Sequence, residues 1–388
     1  MTTQVVNGIK LSDRAREELD DLEEWWVDRY EFLKEKGYIL RPRYRPGWEP
    51  SYKRLGNPFS FEDGHYLLNQ DVIDALKISD CSMVAIKRVR NTIVEGGVPI
   101  ATSQEEDICA LFSTSEHKSH PSNHSIPLLE VLHVPGIEDE GLLVMPWMRE
   151  PEDPSFRTVG EGLQFIKEML EGIQYMHQNN VAHRDCSINN MVMDARRMYP
   201  DGHHPSRPSR TYDYKKRARH FSRTLVPPRY YLIDFGFSQQ YEPSEERTPE
   251  YAIRSGGTEP PEYKAETPCD PFATDVFLLG NMIRLRFLDG NPKSHRRVSG
   301  LYGFEFLRPL VNDMIQDDPE KRPQMDEVLP RFSNIVQSLS QWKLRSRAVK
   351  KNEFFFIKPF RGLDHLFWTC AMIAKGRSAI PSSAFESA

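Results

Sequence analysis

The residues of this 388-residue chain best suited to chemistry are His183-Arg184-Asp185, Asn190 and Asp234-Phe235-Gly236, with Lys87 far upstream in Val84-Ala85-Ile86-Lys87. A carboxylate at Asp185 can accept a hydroxyl proton. The amide of Asn190 and the carboxylate of Asp234 offer hard oxygen donors of the kind magnesium takes. A lysine at position 87 can steady phosphates. Phosphoryl transfer from a magnesium–nucleotide is mostly positioning and charge stabilisation, and it needs few groups beyond these.

The local contexts agree with that order. A helical pattern ending in Tyr175-Met176-His177-Gln178 precedes the His-Arg-Asp triplet, and a short apolar strand, Met191-Val192-Met193, follows Asn190. The four ordered motifs resemble the protein kinase superfamily. The resemblance implies an α+β, two-lobed protein-kinase-like fold, with a small β-rich N-lobe and a larger helical C-lobe. It implies ATP and magnesium as cofactors. Asp185 would be the base, Asn190 and Asp234 the metal ligands, and Lys87 the phosphate-bridging lysine. The lysine's partner would be Glu105, with Glu106 and Asp107 as competitors, because Ile108, Cys109 and Phe112 follow Glu105 on one helical face. Arg184 would pair with a phosphorylated or acidic activation segment. Val72 and Ala85 would face adenine, Met145 would be the gatekeeper, and the backbone of Trp147 and Met148 would meet the adenine edge.

Two further resemblances are structural. Pro260-Pro261-Glu262 matches the end of an activation segment, whose glutamate would pair with Arg322. Asp275 matches the buried helix aspartate that holds the catalytic loop. Small-molecule kinases lack both features, so a protein substrate is expected, with a serine or threonine hydroxyl as acceptor.

Apolar spacing supplies the elements. Ala15, Leu19, Leu22, Trp26, Tyr30 and Leu33 predict one amphipathic helix over 12–36, capped by Ser12 and ended by Gly37. Strands are predicted at 72–79, 83–89 and 142–148, and helices at 103–113 and 162–178. The expected domains are a helical and Pro/Arg-rich extension (1–60), an N-lobe and hinge (61–148), a C-lobe (149–345) with a basic insertion at about 195–228, and a tail (346–388) without clear pattern.

Composition bounds the rest. A net charge of −5 predicts no bulk attraction to nucleic acid or membrane. Five scattered cysteines, none in a C-x-x-C pair, exclude a zinc ribbon and point to a reducing compartment, cytoplasmic or nuclear.

The pattern departs from the superfamily in four places, one of them Ser255, which stands seven residues before Glu262 where a substrate-positioning threonine is usual. No glycine-rich loop stands at 65–72, where counting back from Lys87 puts it. Ser187 replaces the usual lysine. Asp185 and Asp234 are 49 positions apart, and the intervening insertion carries Lys215-Lys216-Arg217-Ala218-Arg219-His220. That run reads as a solvated loop, with a nuclear-localisation or acidic-partner patch as the alternative. The departures keep a second reading open, a pseudokinase scaffold with weak or no transfer. The block from Gly37-Tyr38 to Trp48, the insertion and Asp270-Pro271-Phe272 before Asp275 together look like kinase-like proteins of basidiomycete fungi.

Overall fold

In the computed structural model the described residues are 5–6, 9–10, 17–53, 57–66, 69, 71–90, 92–95, 98–137, 139–243, 249–252, 260–292 and 298–382; for 5–6, 9–10, 93–95 and 98–101 the description is of backbone alone. They fall into two compact units. One comprises 1–102, 127–148 and 199–220; the other comprises 103–126, 149–198 and 221–388. Together they make the chain α+β, the class expected from the sequence.

The first unit is built on a five-stranded antiparallel sheet of β1 (Tyr38–Leu40), β2 (Val72–Lys77), β3 (Met83–Arg90), β4 (Glu130–His133) and β5 (Glu140–Pro146), in the order β1-β2-β3-β5-β4. Alternation divides the sheet into two faces. Ile73, Ala75, Val84, Ile86, Leu142 and Val144 form one, and all are buried. Trp26, Tyr30 and Leu33 pack on that face. They come from α1 (Asp21–Val27) and α2 (Tyr30–Glu35), which replace the single helix expected over 12–36. Asp20 starts α1 with a reciprocal capping box, taking bonds from the amides of Leu22 and Glu23. The expected cap at Ser12 lies outside the described residues.

The sheet therefore begins at Tyr38, inside the stretch read from sequence as an extension. Residues 41–71 connect β1 to β2, so the stretch 65–71, where counting back from Lys87 puts a glycine-rich loop, belongs to this connection. This long connection is pinned by buried charge. Arg41 Nε lies 2.9 Å from both oxygens of Asp74, and Arg41 Nη1 donates to Glu62 (3.0 Å) and to the His65 carbonyl (2.9 Å). Arg43 pairs with Glu23 at 2.6 Å.

The insertion also departs from expectation. Lys215, Lys216, Arg217 and Arg219 are exposed, as a solvated run should be, but His203, His204 and Thr211 are buried. His204 Nε2 meets Glu62 at 3.2 Å, and Tyr214 bonds His65 Nε2 (2.8 Å) and the Phe59 carbonyl (2.7 Å). Burial, and then Arg207, push His65 down to about 4, so the imidazole is neutral at pH 7. Half of the insertion is thus packed structure, fastened to the connection that follows β1.

The second unit is helical. Its elements are α3 (Glu105–Ser113), α4 (Val159–Gln178), α5 (Pro261–Ala265), α6 (Pro271–Ile283), α7 (Arg308–Met314), α8 (Met325–Gln337), α9 (Gln341–Arg345) and α10 (Lys358–Ala374). Among the described residues it also carries three two-stranded ladders, one of them formed by β6 (Met191–Met193) and β7 (Tyr230–Leu232). Thr158 caps α4 through the Glu161 amide, and Asp270 caps α6 with Pro271 in its first turn. Helix α10 lies where the sequence was read as an unpatterned tail.

Candidate active site

In the helical unit the candidate residues hang from one buried carboxylate. Asp275, fully buried on α6, accepts the His183 amide on Oδ2 (2.7 Å) and the Arg184 amide on Oδ1 (2.7 Å), and His177 Nε2 lies 3.0 Å from Oδ2. Burial pushes the pKa of Asp275 up, but the bonds from His177 and the His183 amide outweigh it and hold the carboxyl below its ordinary range. The Asp185 amide in turn donates to His183 Nδ1 at 3.3 Å. Backbone and side chain thus fix the turn that presents Asp185. Arg184 takes a left-handed φ of +65°, a conformation worth holding only where such bonds over-determine it.

Asp185 is buried, and its Oδ1 has no hydrogen-bond partner among the described residues. A buried carboxylate oxygen left bare costs free energy unless something else meets it. Asn190 ties the loop to the next motif: its Nδ2 donates to the Asp185 carbonyl (3.1 Å), and its own carbonyl accepts the Ile233 amide (3.0 Å). The β6–β7 ladder brings this about, because Met191 stands opposite Leu232. Asp234 follows at φ +65°. Phe235 is fully buried, its ring centroid 5.5 Å from that of His183. A Cβ at Gly236 would stand 3.3 Å from Asp234 Oδ1 and 3.4 Å from Glu105 Oε2, which locates both carboxylates beside this glycine. Of the three acids opening α3, Glu105 is buried, Glu106 half-buried and Asp107 exposed. Asp185, Asn190, Asp234 and Glu105 are therefore brought together within one unit.

Arg184 has an acidic partner already in place, since its Nη2 lies 3.4 Å from Glu250 Oε2. Tyr241 also bonds Glu250, at 3.1 Å. Downstream, Arg322 grips Glu262 with two bonds of 2.8 and 2.7 Å, and Thr274 adds a third at 2.9 Å. Ser187, at the position where the resemblance expects a lysine, has a buried hydroxyl without a partner among the described residues. Ser255, which stands where a substrate-positioning threonine is usual, lies outside the described residues.

In the sheet unit, β3 places Ala85 and Lys87 on one face and buries Val84 and Ile86 on the other. Cross-strand neighbours share a face. Val72 stands opposite Lys87, whereas the residue opposite Ala85 is Asp74; Met145 flanks Ala85 on the other side. Val72, Asp74, Ala85 and Lys87 therefore share one face, and Asp74, opposite Ala85, is a fully buried acid held by Arg41. Burial, with the charge of Asp74 close behind, raises the pKa of Tyr212 from the insertion, which places this phenol near the same wall. The Trp147 amide donates to the Met83 carbonyl at 3.0 Å, so only its carbonyl is left for an adenine edge, along with the backbone of Met148.

The donor set fits magnesium. Asn190 and Asp234 would offer oxygen donors, and magnesium is commonly held by one or two protein groups with phosphate oxygens completing its shell. Among the described residues no three His, Cys, Asp or Glu side chains converge on a closed metal site.

No family model matches the chain. It is 23% identical over 191 residues, 46% of its length, to a Dictyostelium discoideum protein provisionally named serine/threonine-protein kinase ireA, and covers 16% of that relative. It is 22% identical over 199 residues, 45% of its length, to a protein of Acanthamoeba polyphaga mimivirus provisionally named serine/threonine-protein kinase R436, and covers 58% of it. Among solved structures, the Rad53 kinase domain with SCD2, in complex with AMPPNP, superposes with a TM-score of 0.41 at 12% identity, covering 69% of this chain and 87% of that one. The chain spans less than two thirds of either named relative. The two sequence likenesses support the protein kinase superfamily and a kinase or kinase-like function.

Proposed function

We propose that the chain is a protein kinase that transfers the γ-phosphate of MgATP to a serine or threonine hydroxyl of a protein substrate. The carrying observation is the bare, buried Oδ1 of Asp185 in a loop suspended from Asp275. Asp185 would orient an incoming hydroxyl and take up its proton. Asn190 and Asp234 would hold magnesium, and Lys87 would steady the phosphates, with Glu105 as its partner. MgATP supplies the phosphoryl group and the charge-neutralising metal when bound. The preference for serine or threonine follows the names of the two relatives.

A specific observation favours the second reading, a pseudokinase scaffold. Asp74, opposite Ala85, is half of a buried ion pair, and the connection between β1 and β2 carries no run of closely spaced glycines. The deciding experiment measures phosphate transfer from labelled ATP to a peptide library and to the chain itself, with Asp185→Ala as control. Transfer that is magnesium-dependent and lost in Asp185→Ala supports the kinase. A melting temperature that rises with MgATP without any transfer supports a nucleotide-binding scaffold.

A further inference from the structure

Helix α10 has two apolar faces, and only one is used. His365, Trp368, Thr369 and Met372 turn inward at helical spacing, and Thr369 and Met372 are buried. Arg157 fastens this side, 2.5 Å from Asp364 and with its guanidinium 4.6 Å from the Trp368 ring centroid. His365 Nε2 lies 2.8 Å from the Arg345 carbonyl at the end of α9. The helix is thus docked, and its seating does not involve the other face.

That other face carries Phe360, Leu363 and Phe367 at spacings of three and four, with Leu366 beside them, and Phe356 stands in the turn just before the helix, four residues ahead of Phe360. Phe356, Phe360 and Phe367 are between 71% and 76% exposed. With Phe354 and Phe355 just before the helix, the exposed apolar area is roughly 1000 Å², at 150–250 Å² per aromatic side chain. A soluble monomer rarely leaves a continuous patch of that size to water.

The surroundings indicate the occupant. Residues 342–377 contain nine Lys and Arg against two acids, Glu353 and Asp364, a local charge of +7 in a chain whose total is −5. Lys350, Lys358, Arg361, Lys375 and Arg377 are exposed. A second copy of this face would bring the same cations against it. Nucleic acid would suit the cations but leave the phenylalanines in water. We propose that the outer face of α10 docks on an anionic lipid surface, with the phenylalanines entering the headgroup boundary and the cations meeting the lipid charge. Among the described residues no helix is long and apolar enough to cross a membrane, so the contact is interfacial. Each cation close to such a surface strengthens binding about fivefold.

The test is co-sedimentation of the full chain with vesicles of phosphatidylcholine alone and of phosphatidylcholine with phosphatidylserine. The chain binds the anionic vesicles, releases at high salt, and ignores the neutral ones. The pair Phe360→Asp and Phe367→Asp weakens binding at least about tenfold, while the melting temperature stays unchanged because neither ring is part of the docked side. Lys358→Glu with Lys375→Glu weakens the anionic preference with the apolar face intact. No vesicle binding, or binding that survives both pairs, overturns the proposal. So does a dimer in sedimentation equilibrium that Phe360→Asp dissolves, which would assign the face to a second copy.

Discussion

Arg41 and Asp74 form a fully buried ion pair on the sheet face that carries Ala85 and Lys87. By register Asp74 stands opposite Ala85, with Val72 two residues before it on the same face. Removing one partner strands the other charge in the interior. Arg41→Ala should cost about 3–5 kcal/mol of stability. The double variant Arg41→Met with Asp74→Leu should recover most of that loss. Urea unfolding midpoints of the single and double variants measure the coupling. If the pair limits nucleotide access, the double variant will also show a larger MgATP-induced shift in melting temperature than the wild type.

Asp185→Ala should lower transfer by about 10²–10⁴-fold, the usual share of a positioned base. Its Oδ1 bonds nothing among the described residues, so stability should change by less than about 1 kcal/mol and binding of MgATP should persist. Labelled-phosphate transfer and nucleotide-dependent melting, run on the same preparation, check both parts.

Asp275→Ala should act oppositely, on structure first. It removes acceptors for two backbone amides and for His177 inside the protein. Charge-assisted bonds of this kind contribute about 1.5–3 kcal/mol each. A loss of at least about 3 kcal/mol is expected in thermal or urea unfolding. Amide exchange should quicken at His183 and Arg184 before it does in α4.

Glu168 gives a pH dependence. It lies buried on α4, accepting the Tyr230 amide at 2.7 Å and the Gln164 side-chain amide at 2.5 Å. Burial, only partly offset by these bonds, pushes its carboxyl up to about 7 from 4.5. The folded chain therefore holds a proton between pH 4.5 and 7 that the unfolded chain releases. This contribution is complete below pH 4.5 and is lost as pH rises through 7. The neighbouring His124, held near 3 by burial, works in the other direction below pH 6.5. Comparison with Glu168→Gln isolates the carboxyl. The wild type should lose on the order of 3 kcal/mol relative to this variant between pH 5 and pH 8, read from melting curves across that range. Parallel pH profiles for the two proteins would refute the assignment.

The parts of the site legible in the sequence were those whose partners sit at short range or at the ends of clear helices. Asp275 and the Glu262–Arg322 pair could be read because each lies in a dense local motif. Glu105 stood out from its acidic neighbours because Ile108, Cys109 and Phe112 share its face. The first strand could not be read that way. Tyr38-Ile39-Leu40 is three residues long, follows a helix closely, and finds its partner strand only after the intervening segment 41–71. Nothing local marks such a pairing, and a one-residue error in register would move every side chain to the other face. Asp74 was missed for the same reason, since a polar residue in a strand reads as solvent-facing until a distant arginine is known to cover it. The apolar face of α10 was present as Phe360, Leu363 and Phe367 at helical spacing, with Phe356 four residues ahead, but Pro359 and Gly362 masked the helix that carries it.

The cysteines sort themselves by environment. Cys186 is fully buried beside Asp275, and burial followed by that carboxylate raises its thiol well above the ordinary range. Cys109 and Cys269 are buried too, while Cys81, in the β2–β3 turn, and Cys370, on α10, are exposed. A maleimide dye should therefore label two sites and spare the residue next to Asp185. One site lies in each compact unit. The wild-type chain thus carries a ready pair of fluorophore positions for following the distance between its units by energy transfer, with no residue changed.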